Sequence, residues 1–168
     1  MVGLGAGCKD KEAQAALAEM KAQAELEARN IELIKTILAE LSKGNFGIMQ
    51  ELYAPDSAYY FPSNIAKPIS REDEIAQSNM FHAAFPDLTM EISDIFAVKD
   101  RVILRAAARG THQAELMGIP ATGNKVEFSA LIIFRIKDGK VAEEVEEADM
   151  LGLFQQLGME LKPKAPVK

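Results

Sequence analysis

The 168-residue sequence has one cysteine, two histidines and no tryptophan. The lone cysteine, Cys8, excludes an internal disulfide, and with only His82 and His112 beside it the chain has too few soft ligands for a thiolate and imidazole metal site. Basic residues number 19 against 25 acidic ones, and the formal net charge of -6 leaves no basic stripe to neutralise phosphates. Nucleic acid and anionic membrane surfaces are therefore unfavourable partners.

Motifs that depend on a cofactor or a nucleophile are missing too. The sequence has no glycine-rich phosphate loop, no serine or cysteine nucleophile motif and no paired spacing of metal ligands. No apolar run is long enough to span a bilayer. With 48% hydrophobic residues, the chain instead predicts one domain with a substantial core.

The residues from Leu4 to Cys8 resemble the end of a bacterial lipoprotein signal, in which small residues lead into a cysteine. The charged and apolar regions of such a signal are missing, and Gly5 stands where an apolar residue is usual. Two interpretations stay open: a glycine-rich leader on a cytoplasmic protein, or an envelope lipoprotein with a truncated signal and a lipid on Cys8.

The stretch from Lys9 to Lys43 has no proline or glycine and is rich in alanine, glutamate and lysine, which predicts one long helix with Gly44 as its C-cap. Apolar residues recur every seven positions at Leu17, Ala24, Ile31 and Leu38. A second row, offset by three, has Met20, Ile34 and Leu41, with Glu27 interrupting it. The half before Asn30 has few bulky apolar residues, so we expect it to be peripheral or to pair with another copy. The predicted divisions are a leader and helical extension (1–29), the main domain (30–160) and a C-terminal tail (161–168).

Helices come first in the chain and long strands afterwards. Shorter helices are predicted from Phe46 to Leu52, from a Ser70 cap to Phe85 and from Met150 to Leu157. Between the first two of these helices, a turn is predicted at Pro55 to Ser57, followed by a strand from Tyr59 to Phe61 that ends at Pro62. Long strands are predicted from Leu88 to Val98, from Val102 to His112 and on to Met117, from Lys125 to Ile136 and from Lys140 to Asp149. The turns between these strands are predicted at Lys99-Asp100, Pro120 to Asn124 and Asp138-Gly139. Such short connections suit antiparallel neighbours. The expected fold class is α+β, a curved antiparallel sheet closed by helices into a cone with an internal pocket.

Several short motifs follow one another between Asn30 and Gly158. They are Gly110-Thr111-His112, the segment from Leu116 to Gly123, Ile133 to Ile136 with Asp138-Gly139-Lys140, and Asp149 to Leu153 with Gln155 to Gly158. A further motif, Phe85 to Leu88, precedes them in the chain. With these motifs the sequence resembles the SnoaL-like polyketide cyclases of the nuclear transport factor 2-like superfamily. The resemblance implies a cone-shaped domain, in a superfamily that includes both enzymes and non-catalytic members.

The resemblance also implies a reaction, the intramolecular aldol closure of a polyketide ester without metal, Schiff base or organic cofactor. One carboxyl can act as base and then as acid, because an apolar pocket raises its pKa. Asp149 matches the family's aspartate and is the first candidate, although an aspartate directly before a helix is also a favoured N-cap. His112, on a mostly apolar strand face, is the second candidate catalytic residue, or simply a hydrogen-bonded core histidine.

Substrate contacts are predicted for Tyr60, His82, Phe134 and Val145. Tyr60 occupies a position where many relatives carry histidine, and Val145 one where relatives usually carry tryptophan, so a pocket of different shape is expected. The predicted ligand is a small apolar carbonyl compound, and a homodimer is expected. The first predicted function is a cyclase or related isomerase, and the alternative is a non-catalytic small-ligand-binding module of the same fold.

Carboxylates crowd the last predicted strand. Glu143, Glu144, Glu146, Glu147 and Asp149 fall on both of its faces. Some of them must reach solvent, pair with arginines or have raised pKa values. A solvated sheet edge is the preferred interpretation.

Overall fold

The computed structural model describes residues 6–61 and 67–162, with side chains described from residue 11 onward. Over these residues the chain forms four helices and six strands, which confirms the α+β fold class. In chain order they are α1 (Ala6–Leu41), α2 (Ile48–Leu52), β1 (Tyr53–Tyr60), β2 (Ile69–Ser70), α3 (Arg71–Ala84), β3 (Thr89–Val98), β4 (Arg101–Thr111), β5 (Lys125–Lys137), β6 (Lys140–Ala148) and α4 (Met150–Gln156). The predictions on Leu4, Gly5, Pro62 and residues 163–168 lie outside the described residues.

The six strands form one curved, open sheet in the order β2-β1-β6-β5-β4-β3. Strands β3 to β6 are antiparallel neighbours, which confirms the predicted pairing. Strand β1 departs from the predicted antiparallel sheet because it runs parallel to β6. The long stretch of chain between these two strands permits a parallel pairing that a hairpin could not make. Strand β6 is therefore an interior strand, and the expectation of a solvated edge is wrong.

The tight connections that the sequence predicts are present. Lys99 between β3 and β4, and Asp138 and Gly139 between β5 and β6, have φ values of 59°, 52° and 74°, the left-handed conformation that short hairpin turns use. Gly44 follows α1 with a φ of 77°. Ser70 caps α3, since its Oγ accepts a hydrogen bond from the backbone of the third helical residue at 3.1 Å.

One predicted turn is instead part of a strand. Pro55 to Ser57 lie within β1. The register between β1 and β6 shifts between Tyr53 and Ala58. An irregularity of this kind accommodates a proline, which cannot donate to a regular ladder.

The second predicted boundary that fails is the end of β4. The strand ends at Thr111 and does not continue to Met117. Just beyond it, the backbone N–H of Gln113 donates to the carbonyl oxygen of Ala84 at 2.8 Å. This bond ties the chain to the end of α3, so the segment turns away from the sheet.

Helix α1 is buried only in its second half. Leu17 and Met20 are 52% and 70% exposed, whereas Ile34 is fully buried. Glu27 marks the change, because its Oε1 accepts a hydrogen bond from the backbone N–H of Lys99 at 2.8 Å. The first half of α1 thus lies outside the core. Among the helices that the structure describes, none combines the length and the apolar character needed to cross a membrane.

The inner face of the sheet carries two adjoining buried clusters. The first core joins the second half of α1 to Tyr53 of β1 and Phe134 of β5. The second core lies further along the same strands, where Phe128 of β5 packs with Phe85 and with Leu153 of α4. The helices therefore pack on one face of the sheet, as the cone predicted from the sequence requires.

Candidate active site

Two glutamates of β6 face the first core. Glu144 is paired with Tyr59 of β1 on one side and with Phe134 of β5 on the other. Because side chains alternate along a strand, Glu146 shares this inner face, whereas the odd-numbered glutamates of β6 lie on the outer face. The predicted substrate contact at Phe134 is thus a direct neighbour of a buried carboxyl.

Hydrogen bonds join these carboxyls to two tyrosines and to a third glutamate. Tyr53 Oη donates to Glu144 Oε2 at 2.6 Å, and Tyr59 Oη donates to Glu146 Oε2 at 2.8 Å. From α3, Glu74 shares a hydrogen bond with Glu144. We call Tyr53, Tyr59, Glu74, Glu144 and Glu146 the glutamate cluster. Its members come from three elements, so the cluster exists only in the folded chain.

The glutamate cluster is more tightly enclosed at one end than at the other. Glu74 and Glu144 are only 4% and 7% exposed. Glu146 is partly exposed as a residue, although protein surrounds its carboxyl end. Beside it, the ring of Tyr59 stacks on that of Phe61 with 6.0 Å between centroids and 2° between planes. Glu146 is therefore the member of the cluster whose residue is least buried.

Burial raises the pKa of every carboxyl in the glutamate cluster. The pKa of Glu74 rises to about 10 and that of Glu144 to about 8, first because burial disfavours the charged form and second because neighbouring carboxylates repel it. Burial also raises the pKa of Glu146, although the hydrogen bond from Tyr59 opposes this change. The hydrogen bond between Glu74 and Glu144 requires a proton on one of the two carboxyls, in keeping with the raised pKa of both.

No cationic side chain among the described residues pairs with the glutamate cluster. The nearby arginines lie on the other face of the sheet, where Arg101 and Arg135 are 3.6 and 3.7 Å from the carboxylate of Glu143. The acidic run of β6 is thus divided by strand alternation. The outward glutamate has arginine partners, and the inward ones have raised pKa values.

Asp149, the first catalytic candidate from the sequence, lies at the start of α4 and outside the glutamate cluster. Its side chain is exposed, and its Oδ1 accepts a hydrogen bond from the backbone N–H of Gly152 at 2.8 Å. The interpretation of Asp149 as a helix N-cap is therefore confirmed. Its catalytic role stays a prediction.

His112, the second catalytic candidate, is fully buried beside the second core, with its ring 5.2 Å from that of Phe85. The backbone N–H of Thr122 donates to His112 Nδ1 at 3.2 Å, which places the proton of the neutral ring on Nε2. Within the described part of the chain, this Nε2 has no hydrogen-bond partner. The histidine thus keeps one buried donor unused, and its catalytic role stays a prediction.

The four predicted substrate contacts fall in three places. Phe134 lies beside the glutamate cluster. His82 packs near the end of α1, with its ring 5.5 Å from that of Phe46. Tyr60 and Val145 pair with each other on the outer face of the sheet. The structure brings only Phe134 to the glutamate cluster, and a ligand contact at any of the four stays a prediction.

Two surface clefts are described, and neither includes a residue of the glutamate cluster. The first, of about 210 Å³, is mainly apolar and is lined by Met117, Ile119, Leu151, Phe154, Met159 and Leu161. The second, of about 440 Å³, is more polar and includes Arg109 and Thr111. The internal pocket of the cone stays a prediction.

Sequence reasoning missed Tyr53, Tyr59 and Glu74. Part of the signal was available, because the alternation of acids on the last strand placed two glutamates on the inner face. The remaining signal is long-range. Only the parallel pairing of β1 with β6 and the packing of α3 bring the other three residues to these glutamates.

Comparison with known proteins places this chain in a family. The sequence model of the SnoaL-like polyketide cyclases matches residues 32–157. The chain therefore belongs to the SnoaL-like polyketide cyclase family, which confirms the resemblance seen in its motifs. It is similar to aklanonic acid methyl ester cyclase from Streptomyces peucetius, with 37% identity over 54 residues, 32% of this chain and 37% of that protein. The match spans little more than a third of that relative's length.

Crystal structures extend the likeness over most of the chain. AclR, a proposed hydroxylase from Streptomyces galilaeus, is 31% identical with a TM-score of 0.73 and covers 79% of this chain and 97% of its own. IdmH, a proposed polyketide cyclase from Streptomyces antibioticus, is 31% identical with a TM-score of 0.68, and the match covers 77% of this chain and 99% of IdmH. Because these similar structures carry different proposed activities, the reaction must be argued from the site itself.

Proposed function

We propose that this protein is a cofactor-independent cyclase or isomerase of a small apolar carbonyl compound, and that the glutamate cluster carries out the proton transfers. The observation that carries the proposal is the hydrogen-bonded set of three carboxyls with raised pKa values. A carboxyl with a raised pKa can remove a proton in one step and return it in the next. Membership of the family supports a cyclase-like role.

In the proposed reaction Glu146 is the base, since its residue is the least buried of the three cluster glutamates and burial raises the pKa of its carboxyl. It removes a proton from the carbon next to a carbonyl, and the resulting enolate carbon attacks a second carbonyl of the same molecule. A carbon–carbon bond forms, the attacked oxygen becomes an alkoxide, and protonated Glu146 returns its proton there. The product is an isomer of the substrate, so the step needs no co-reactant.

The other members of the glutamate cluster act as positioning residues. Tyr59 donates to Glu146 and orients its carboxyl. Tyr53 and Glu74 hold Glu144 in the same way. Charge on Glu146 raises the pKa of Glu144, so the two carboxyls resist ionising together. This arrangement would keep one proton available beside the base.

The assignment based on the sequence is a competing proposal, with Asp149 as the acid–base group, His112 beside it, and Tyr60, His82, Phe134 and Val145 as substrate contacts. Its support is the match to family motifs. The exposure of Asp149 and its bond to Gly152 weigh against it, since this carboxyl faces solvent and is already engaged as a helix cap. A non-catalytic binding module is the alternative function, favoured by the separation of both described clefts from the glutamate cluster.

The test uses aklanonic acid methyl ester, the compound named for the Streptomyces peucetius relative. Glu146→Gln keeps the shape of the side chain and removes the transferable proton, so we expect turnover to fall about a hundredfold or more. Asp149→Asn is the matched control. It keeps a capping side chain, and we expect turnover within about threefold of the unmodified protein.

A large loss with Asp149→Asn alone would reject the glutamate cluster and favour the competing proposal. Binding of the ester without turnover by the unmodified protein would favour the non-catalytic module. A second readout needs no substrate, because NMR titration of the Glu146 carboxyl should give a raised pKa. A pKa at or below the ordinary value of 4.5 would contradict the proposed base.

Three expectations about the protein's surroundings stay proposals: a homodimer, a lipid on Cys8, and a cytoplasmic or envelope location. The mass of the intact protein from its native host would reveal a lipid on Cys8. A mass that matches the unmodified polypeptide would remove the lipoprotein alternative.

A further inference from the structure

Ser57 carries a buried hydroxyl that has no hydrogen-bond partner among the described residues. It lies in β1 between Tyr53 and Tyr59 and is 7% exposed. In the described part of the chain only two buried side-chain atoms lack a partner, Ser57 Oγ and His112 Nε2. An unpaired buried hydroxyl loses its bonds to water and gains none in return, so it costs stability. Such a group in a folded chain calls for an explanation beyond packing.

The side chain of Ser57 belongs to the inner face of the sheet. Side chains alternate along a strand, so residue 57 shares the face of Tyr59. The burial of β1 agrees, because Ser57 and Tyr59 are buried whereas Ala58 between them is only half-buried. Tyr59 pairs with Glu144 of β6. Ser57 is therefore one inner-face position away from a member of the glutamate cluster.

The donors of the glutamate cluster are already committed to its own carboxyls. The two tyrosines donate to Glu144 and Glu146. Glu74 shares a further proton with Glu144. A carbonyl compound that leaves water for the inner face needs hydrogen-bond donors for its oxygens. The uncommitted buried donor that the described residues offer on this part of the face is the hydroxyl of Ser57.

We propose that Ser57 is a specificity-determining residue of the proposed reaction, and that its hydroxyl donates a hydrogen bond to a substrate oxygen away from the carbon that loses its proton. Tyr60 pairs with Val145, which places Glu146 about four residues beyond Ser57 along the strands. At about 3.3 Å per residue, the two positions are about 13 Å apart in the strand direction. The base and the serine therefore contact different parts of one substrate.

The assignment rests on the proposed function, because it needs the substrate to reach the inner face. It narrows the substrate class to extended molecules that carry an acceptor oxygen on the order of 10 Å from the reacting carbon. Because a donor left unpaired is costly, the site also selects against analogues that lack this oxygen. Ser57 keeps its own proton throughout, so it affects binding and not the proton transfer.

Steady-state kinetics with aklanonic acid methyl ester, together with melting temperatures, test the assignment. Ser57→Ala removes the donor, and we expect KM to rise about tenfold while kcat stays within about threefold. The melting temperature should rise by about 2 °C, because the variant buries no unpaired hydroxyl. Ser57→Cys keeps the size of the side chain with only a weak donor, so its KM should rise as well. Ser129→Ala, at an exposed site on β5, is the matched control and should change neither quantity.

Three results would overturn the assignment. An unchanged KM for Ser57→Ala would show that the hydroxyl does not contact the substrate. A lower melting temperature for the same variant would show that the hydroxyl supports the fold. A raised KM for Ser57→Ala with an unchanged KM for Ser57→Cys would show that the site reads the size of the side chain and not its donor.

Glu146→Gln in the same assay separates this assignment from the proposed function. Loss of turnover in that variant, beside an unchanged KM for Ser57→Ala, would keep the reaction and reject Ser57. Retained turnover, beside a raised KM for Ser57→Ala, would keep Ser57 and reject the base. If the unmodified protein shows no turnover, isothermal titration makes the same comparison, and the dissociation constant of the ester should rise about tenfold in Ser57→Ala. Equal dissociation constants, or no binding by the unmodified protein, would overturn the assignment.

Discussion

The two ends of β6 place acidic residues under opposite physical conditions. Glu144 is buried in the first core, accepts from Tyr53 and has no cationic partner among the described residues. Asp149, just beyond the end of the same strand, is exposed and accepts from the backbone of Gly152. Burial disfavours the charged form of Glu144, whereas the exposed carboxyl of Asp149 is engaged as a helix cap. Position in the fold, and not proximity in the chain, decides which carboxyl is buried and which one caps a helix.

The polar residue in the second core adds to this contrast. His112 is fully buried, and its Nδ1 accepts a hydrogen bond from the backbone. No described carboxyl is hydrogen-bonded to it. The two sites therefore differ in kind. The glutamate cluster is a set of coupled titrating groups, whereas His112 is a single buried donor beside an exposed helix cap.

The largest effect is expected for the pH dependence of stability. The folded pKa values of Glu74 and Glu144, about 10 and about 8, lie above the ordinary value of 4.5, so the folded chain keeps protons that the unfolded chain releases. Their contribution to stability is fully present below about pH 4.5 and is lost progressively as the pH rises toward the folded values. Glu74→Gln mimics the protonated acid and removes this dependence for one group.

Melting temperatures of both proteins at pH 5 and pH 8 provide the measurement. One pKa unit corresponds to about 1.4 kcal/mol. We expect the advantage of Glu74→Gln over the unmodified protein to grow by at least about 4 °C between these pH values. Glu32→Gln, at an exposed site on α1, is the matched control and should run parallel to the unmodified protein. An advantage that stays constant with pH would show that Glu74 does not hold a proton against its surroundings.

A smaller effect is expected at the other end of the strand. Asp149→Ala removes the cap of α4 and should reduce the free energy of unfolding by about 1 kcal/mol, whereas Asp149→Asn should change it by a few tenths. Denaturant unfolding of both variants measures this difference. If Asp149→Ala and Asp149→Asn both reduced the free energy of unfolding by the same large amount, the charge of Asp149, and not its capping bond, would support the fold.

The smallest effect is expected for a deletion that touches neither site. Removing residues up to Glu25 takes away exposed positions such as Leu17 and Met20 and leaves the contact of Glu27 with Lys99 in place. The melting temperature should stay within a few degrees of the full chain. A longer deletion that includes Ile34 removes part of the first core and should abolish cooperative folding. Loss of cooperative folding with the shorter deletion would place the whole of α1 in the folding unit.

Much of the fold was predictable because its signals are local. The turns at Lys99-Asp100 and Asp138-Gly139, the cap at Ser70 and the end of α1 at Gly44 depend on residues close in sequence. Pro55 was misread because proline usually marks a turn, and a register shift in β1 overrides that preference. The solvated edge was wrong because edge or interior is a property of strand order, which alternation does not reveal.

The sequence by itself determined the fold class, the family and the division of the β6 acids between two faces, since composition, turn chemistry and period-two alternation are carried by neighbouring residues. Only the tertiary structure decided which of those acids is buried and what it contacts. Tyr53 and Glu74 reach Glu144 through a parallel strand pairing and the packing of α3. A pKa depends on burial and on charges brought close in space, and those distances are set when distant parts of the chain meet.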